Sequence, residues 1–146
     1  MKCGEVEIKY RIEGKWKLDK GSLGSSGYDL CASRDYELYY NSPIIVKTGL
    51  YLEIPPGFEG QVRSRSGLAS NGVFVLNSPG TIDSDYRGEV GVILFSTRDS
   101  WQPYNIKAGD RIAQLVFCKL PLVSLVLSDN LSSTSRQSGG FGSTGV

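Results

Sequence analysis

IIVKTGLYLEIPPGFEGQVRS, residues 44–64, decides the fold. Apolar and polar side chains alternate at period two through IIVKTGLYLEI (44–54) and again through FEGQVRS (58–64). That spacing sends successive side chains to opposite faces of an extended strand, whereas an amphipathic helix repeats every three or four residues. The PPG between the two runs is a turn signal. Outward from this stretch, EVEIKYRI (5–12) and YELYY (36–40) keep the same alternation. VFVLN (73–77), EVGVILFS (89–96), RIAQLVFCKL (111–120) and LVSLVL (122–127) are β-branched and apolar, the composition of strands. NSP, NSPG, YRG and KAGD separate them, and only SGLAS (66–70) suggests a helical turn. Many short strands with regular turns predict an all-β sandwich, jelly roll or barrel. No linker or second domain precedes the polar, Ser-rich run that opens near Ser128, so a core over 1–127 and a flexible arm over 128–146 are expected.

With 146 residues, 40% of them hydrophobic and 21% charged, the chain suits one soluble domain with a real core. Sixteen Lys+Arg against fifteen Asp+Glu leave a formal net charge of +1, which points to neither nucleic acid nor membrane as partner. Local arginines and backbone amides remain able to hold a phosphate-bearing ligand. Cys3, Cys31 and Cys118 are odd in number and form no C-x-x-C pair. They read as small hydrophobes in a reducing compartment. With no secretory h-region and no apolar run of membrane-spanning length, a soluble, intracellular protein (cytoplasm, nucleus or both) is expected. There is no histidine, which excludes Ser-His-Asp and Cys-His catalysis and any histidine base. A base must then be a carboxylate, Lys, Tyr or Cys.

Five segments carry side chains that strand packing does not demand. GSSGYDLCA (24–32) sets Asp29 at the start of an apolar strand, where a carboxylate needs a partner; an edge residue bonded to nearby amides is the plainer alternative. VRSRSGLA (62–69) offers backbone N–H groups, a serine hydroxyl and guanidinium at a turn. It forms either an anion site or a solvated turn with Ser66 as N-cap. NSPGTIDSDYRG (77–88) lies between two strands and packs Asp83, Asp85, Tyr86 and Arg87 into five positions. It reads as a hairpin with a long, structured connection that holds more chemistry than turning requires, although Asp85 and Gly88 are also ordinary turn residues. AGDRIAQLVF (108–117) has Arg111 and Gln114 on an otherwise apolar strand, an odd number of residues apart. An ideal strand points them to opposite faces, so one should meet the core, a ligand or a neighbouring subunit. RQSGGFGSTGV (136–146) is a Gly/Ser tail, yet it carries Arg136, Phe141, Ser143 and Thr144. It is either a linker or a lid whose arginine forks onto phosphate and whose phenylalanine stacks on a flat ring.

In this order, GYDLCA, RSGLA, GTIDSDYRGEVGV, GDRIAQLVF and RQSGGFGSTG resemble the five motifs of the trimeric dUTP pyrophosphatases (dUTPases) and span 24–145. The resemblance implies a distorted, β-clip-like jelly-roll or β-barrel subunit. It also implies a homotrimer with C-terminal arm exchange, its three active sites at subunit interfaces. The implied reaction is dUTP + H2O → dUMP + pyrophosphate, by Mg²⁺-assisted attack of water at the α-phosphorus. It limits uracil incorporation into DNA and supplies dUMP for thymidylate synthesis. Asp83 matches the aspartate that activates the water, and a carboxylate base agrees with the histidine-free composition. Arg65, Ser66, Gly67 and Gln114 match phosphate binders, and Arg136, Ser143 and Thr144 match the γ-phosphate grip. Asn77, Gly80, Ile82, Tyr86, Phe141 and Gly142 match the uracil and deoxyribose contacts, with Tyr86 stacked on the sugar and excluding a 2′-hydroxyl. Mg²⁺ is implied on the triphosphate oxygens and waters with no direct protein ligand, Asp29 acting at most through a water.

Three positions depart from the pattern. Ser64 stands where a proline is common and is expected to loosen that turn. Thr81 replaces an aliphatic residue, and Gln137 replaces a glycine after the tail arginine. Other readings compete: a dCTP deaminase-like relative, for which no segment supplies the glutamate; a trimeric nucleotide-binding regulatory module acting through protein partners; and a plain β-sandwich binding protein.

Overall fold

The computed structural model describes residues 4–142. In chain order it runs β1 (Lys9–Ile12), β2 (Tyr28–Cys31), β3 (Tyr36–Leu38), β4 (Ile44–Lys47), β5 (Leu50–Glu53) and β6 (Phe58–Arg63). A single helical turn, α1 (Ser66–Ala69), precedes β7 (Val73–Val75), β8 (Gly80–Ile82), β9 (Gly91–Ser96), β10 (Tyr104–Ile106) and β11 (Arg111–Lys119). The strands form a four-stranded sheet β2-β11-β6-β8, a three-stranded sheet β4-β9-β7, and the pairs β1-β5 and β3-β10. Every pairing is antiparallel. This is the expected all-β jelly-roll architecture.

Alternation delivers the core. Leu30, Leu38, Val46, Leu50, Val62, Val75, Leu94, Ile106 and Leu115 come from different strands and join one buried cluster fed by every sheet. Each fully buried Leu contributes about 1.5–3 kcal/mol relative to exposure.

Two strands emerge where the period-two pattern showed one run, 44–54. The break falls at Thr48-Gly49. Gly49 has φ +71°, and an added Cβ there would collide with the carbonyl oxygen of Glu13. Buried Thr48 locks the corner by donating to the carbonyl of Val90 (2.6 Å) and accepting from Leu50 N–H (3.1 Å). β4 therefore pairs with β9, and β5 with β1.

The segment between β7 and β9 also does more than expected. β7 and β9 pair as a hairpin should, but their connection supplies β8 to the other sheet, beside β6. LVSLVL (122–127) is not a strand: regular structure ends at Lys119, and Leu122, Val123, Leu125, Val126 and Leu127 are exposed. Among the described residues this run pairs with none of the open sheet edges.

Candidate active-site cleft

Asp29 on β2 has the partners its place on an apolar strand demands. Its Oδ1 lies 3.2 Å from Arg65 Nε, and its Oδ2 lies 3.3 Å from Arg111 Nη1. Arg65 Nη1 also donates to the carbonyl of Arg111 at 3.2 Å. Alongside, the Gln114 amide donates to the carbonyl of Ser64 at 2.9 Å. Gly27 admits this glutamine, because a Cβ there would sit 3.0 Å from Gln114 Cβ.

Arg111 and Gln114 share this site, which corrects the expectation that they face opposite ways. Arg111 pairs with Cys31 but Ala113 with Leu30, so β11 gains one residue over β2 between 111 and 113. Such a bulge resets the alternation. Ile112 and Ala113 both turn inward, and Arg111 and Gln114 both line the cleft. No local pattern in the sequence announces a bulge.

The cleft, about 270 Å³, is lined by Asp29, Arg65, Ser66, Gly67, Arg111 and Gln114 together with backbone near Gly27. Two guanidiniums against one carboxylate leave one positive charge in excess among these side chains. A larger cavity of about 450 Å³ beside β1, lined by Val6, Ile8, Tyr10, Tyr28, Phe58 and Phe117, has no such paired charges. The smaller cleft is the one suited to an anion. Behind it, burial first and the charge of Asp29 second push the Cys31 thiol above its ordinary range.

Ser66 is not the N-cap. Arg65 holds that position in an extended conformation with no side-chain cap bond, and Ser66 opens the helical turn. Ser64, expected to loosen the segment, fastens it: its Oγ accepts Val75 N–H at 2.9 Å while its carbonyl accepts from Gln114.

The 77–90 segment builds a separate surface. Gly80 is buried, a Cβ there would meet Val62 Cβ at 3.1 Å, and the Asn77 amide nitrogen lies 3.5 Å from the same point. Ile82 is buried beside them, and Thr81 is exposed. Asp83 follows β8 with its side chain exposed, and its carbonyl accepts Tyr86 N–H at 3.1 Å. The Tyr86 phenol donates to the carbonyl of Glu89 at 3.0 Å, a packing that a Cβ on Gly88 would block.

Asp83 and the cleft stand apart within one chain. β6 separates β8 from β11, which amounts to roughly 10 Å across the sheet at ordinary strand spacing. Along the strand, Ile82 faces Gly60, while Ser64 and Arg65 leave β6 by its other end.

The tail is equally separate. Arg136 Nε donates to the carbonyl of Gly139 (2.7 Å), and Gly139 N–H donates back to that of Arg136 (2.9 Å). Phe141 is fully exposed. Gln137 sits at φ +49°, where a glycine would be relaxed and a side chain costs about 1 kcal/mol. Gly142 is likewise left-handed, at φ +87°. Ser143 and Thr144 lie outside the described residues.

Among the described residues, no group of three or more His, Cys, Asp or Glu side chains gathers to hold a metal. No helix there is long and apolar enough to cross a membrane.

Comparison with known proteins decides the family, for the dUTPase family model matches residues 17–145. The chain belongs to the dUTPase family. It is 53% identical to the deoxyuridine 5′-triphosphate nucleotidohydrolase of Anaeromyxobacter sp. (strain Fw109-5), covering 84% of this chain and 82% of that protein. With the enzyme of the same name from Wolbachia pipientis subsp. Culex pipiens (strain wPip), identity is 48% over 97% and 95%. Among solved structures, the Staphylococcus bacteriophage 80alpha dUTPase with dUPNHPP superposes with a TM-score of 0.83 at 23% identity, covering 97% of this chain and all of that one. A dUTPase from phage phi11 of S. aureus, described with a structural Mg(II) ion, gives 0.77 at 22% identity, covering 86% and 98%. These structural likenesses speak for the dUTPase fold, and the sequence matches for the family.

Proposed function

We propose that this dUTPase hydrolyses dUTP to dUMP and pyrophosphate, with the triphosphate in the Asp29–Arg65–Arg111–Gln114 cleft and Asp83 supplied by a neighbouring protomer. The chain is a dUTP diphosphatase by family; the distribution of its site over three chains is the finer reading. The observation that carries it is the separation of Asp83 from the cleft. Base and phosphate site must come within a few ångströms of one reacting phosphorus, and a homotrimer brings the two together across an interface. The exposed LVSLVL run supports exchange of the arm, since an apolar run left uncovered in one chain gains by packing or pairing on another.

In this reading, backbone N–H groups and side chains at Arg65, Ser66 and Gly67, with Gln114, hold the α- and β-phosphates. Asp29 acts on Arg65 and Arg111, fixing guanidiniums that would otherwise swing in solvent. Asp83 takes a proton from water as the water oxygen bonds to the α-phosphorus and the bridging oxygen leaves with pyrophosphate. Uracil lies along β8, read by backbone near Asn77, Gly80 and Ile82. Cytosine reverses the pattern at its 4-position and leaves such groups unpaired, a mismatch able to discriminate by a factor of about 10⁴. Tyr86 covers the deoxyribose. The arm closes over a neighbour's pocket, with Arg136, Ser143 and Thr144 on the γ-phosphate and Phe141 and Gly142 over the base.

Mg²⁺ fits as part of the substrate complex. Both oxygens of Asp29 already face guanidiniums, so the donor set leaves the ion to phosphate oxygens and waters, with Asp29 reaching it only through a water. When bound, it would neutralise triphosphate charge. Free Cys31 and Cys118 suit the reducing, intracellular setting we assign.

The test is a turnover assay over dUTP, dTTP, dCTP and UTP with Mg²⁺. dUMP and pyrophosphate from dUTP alone are expected, and ammonia from dCTP would overturn the assignment. Glu89 already argues against deamination, because its carboxylate is taken up by Gly49 N–H at 2.9 Å and Lys47 at 3.4 Å.

A further inference from the structure

We infer that Arg111 is a direct ligand of the polyphosphate chain and that the Arg65 guanidinium acts chiefly as a brace. This rests on the reading that the triphosphate lies in the cleft. The two arginines face the same carboxylate but are held differently. Arg65 is gripped twice, Nε meeting Asp29 Oδ1 at 3.2 Å and Nη1 donating to the carbonyl of Arg111 at 3.2 Å. Those anchors sit on β2 and β11, and the Arg65 side chain is 30% exposed. Arg111 meets only Asp29, through Nη1 at 3.3 Å, and its side chain is 57% exposed. Among the described residues its Nε and Nη2 have no acceptor, and these two nitrogens form the edge that can fork onto two oxygens.

The bulge in β11 is the second observation. On an unbroken strand Arg111 would point away from Gln114, and the extra residue between 111 and 113 turns it to the cleft side. Bulges beside sites re-aim side chains in this way. The cost is a gap in the ladder, for Ile112 has no register partner on β2. Stability gives little in return, because an ion pair this exposed contributes little and Asp29 already has Arg65. The adjacent Asp110 turns to its own loop, accepting Lys107 N–H at 2.8 Å. With Asp29 matched to the braced Arg65, Arg111 carries the excess positive charge of the cleft on a guanidinium suited to phosphate oxygens.

Titration calorimetry with inorganic pyrophosphate on the full chain, at fixed ionic strength, tests this without any turnover. Arg111→Gln should weaken binding by about tenfold or more, the size of a lost charge-assisted hydrogen bond. Arg111→Lys keeps the charge without the fork and should recover only part of that loss. The loss should persist when Arg111→Gln is made in Asp29→Asn, where the ion pair is already gone. If it disappears there, Arg111 works only by steadying Asp29 and the inference is refuted. Gln114→Ala reports on the cleft itself. If it weakens binding while Arg111→Gln binds as wild type does, the inference falls and the cleft reading stands. If neither variant changes the affinity, both fall.

Discussion

The phosphate cleft and the Asp83 loop lie in one four-stranded sheet, yet they are built in opposite ways. In the cleft, Asp29, Arg65, Arg111, Gln114 and Ser64 are tied to one another and to three strands before any ligand arrives. Across β6, Asp83 points into solvent, although the main chain beneath it is pinned. The difference shows where preorganisation is stored. On the reading proposed above, the guanidiniums that meet a multiply charged ligand are fixed by a carboxylate within the same chain, and the base is left for assembly to deliver.

Asp83→Asn is the severest way to break this contrast. It should lower kcat by about 10³-fold while dUTP affinity stays near wild type, because the loss is of a general base and not of a binding group. Mixing it with Arg65→Ala, refolded together, sharpens the point. Random assortment gives about a quarter of the sites an intact cleft from one chain and an intact Asp83 from the next, so activity should reappear in the mixture. No recovery would mean that cleft and base come from one chain.

Deleting residues 136–146 should cost about 10²-fold in kcat/KM, the scale of lost positioning, with the sedimenting species unchanged. Full activity would return the tail to the status of a linker. Ser64→Ala strikes the brace between cleft and loop. Leaving Val75 N–H without its acceptor should destabilise the fold by about 1 kcal/mol, measured by urea unfolding, and should raise KM modestly through Gln114.

The smallest effect tests the turn that leads into β11, outside both the cleft lining and the Asp83 loop. Asp35 accepts Ala108 N–H at 2.9 Å and meets Lys107 at 3.1 Å, and these hold its carboxyl below the usual range. A lowered folded-state pKa gives stability that is present above the unfolded value and lost as pH falls through the folded one. Acid unfolding should therefore lose part of its pH slope in Asp35→Asn, while activity near neutrality is unaffected.

How much of this was legible beforehand differs by residue. Gly49 was visible as a glycine but not as a corner, because alternation runs unbroken across it, and its left-handed backbone and the carbonyl of Glu13, far along the chain, forbid a side chain there. Gly27, Ser64 and Arg111 gained their places in the cleft from neighbours on other strands. Asp29 was the reverse: a lone carboxylate on an apolar strand announces that a partner exists without saying which. LVSLVL has the composition of a strand, yet in the single chain it stays exposed and joins none of the sheets, a matter of tertiary placement that composition does not carry.

The sequence by itself determined the β class, the five motifs and that any side-chain base is not a histidine, since period, composition and the absence of histidine are local facts. Tertiary structure alone decided that a bulge would turn Arg111 and Gln114 to the same side, that residues 80–82 would cross into the other sheet, and that Asp83 would stand apart from the cleft. Those outcomes depend on strand register, which is set by hydrogen bonds between residues distant in the chain and leaves no mark on the spacing of neighbours.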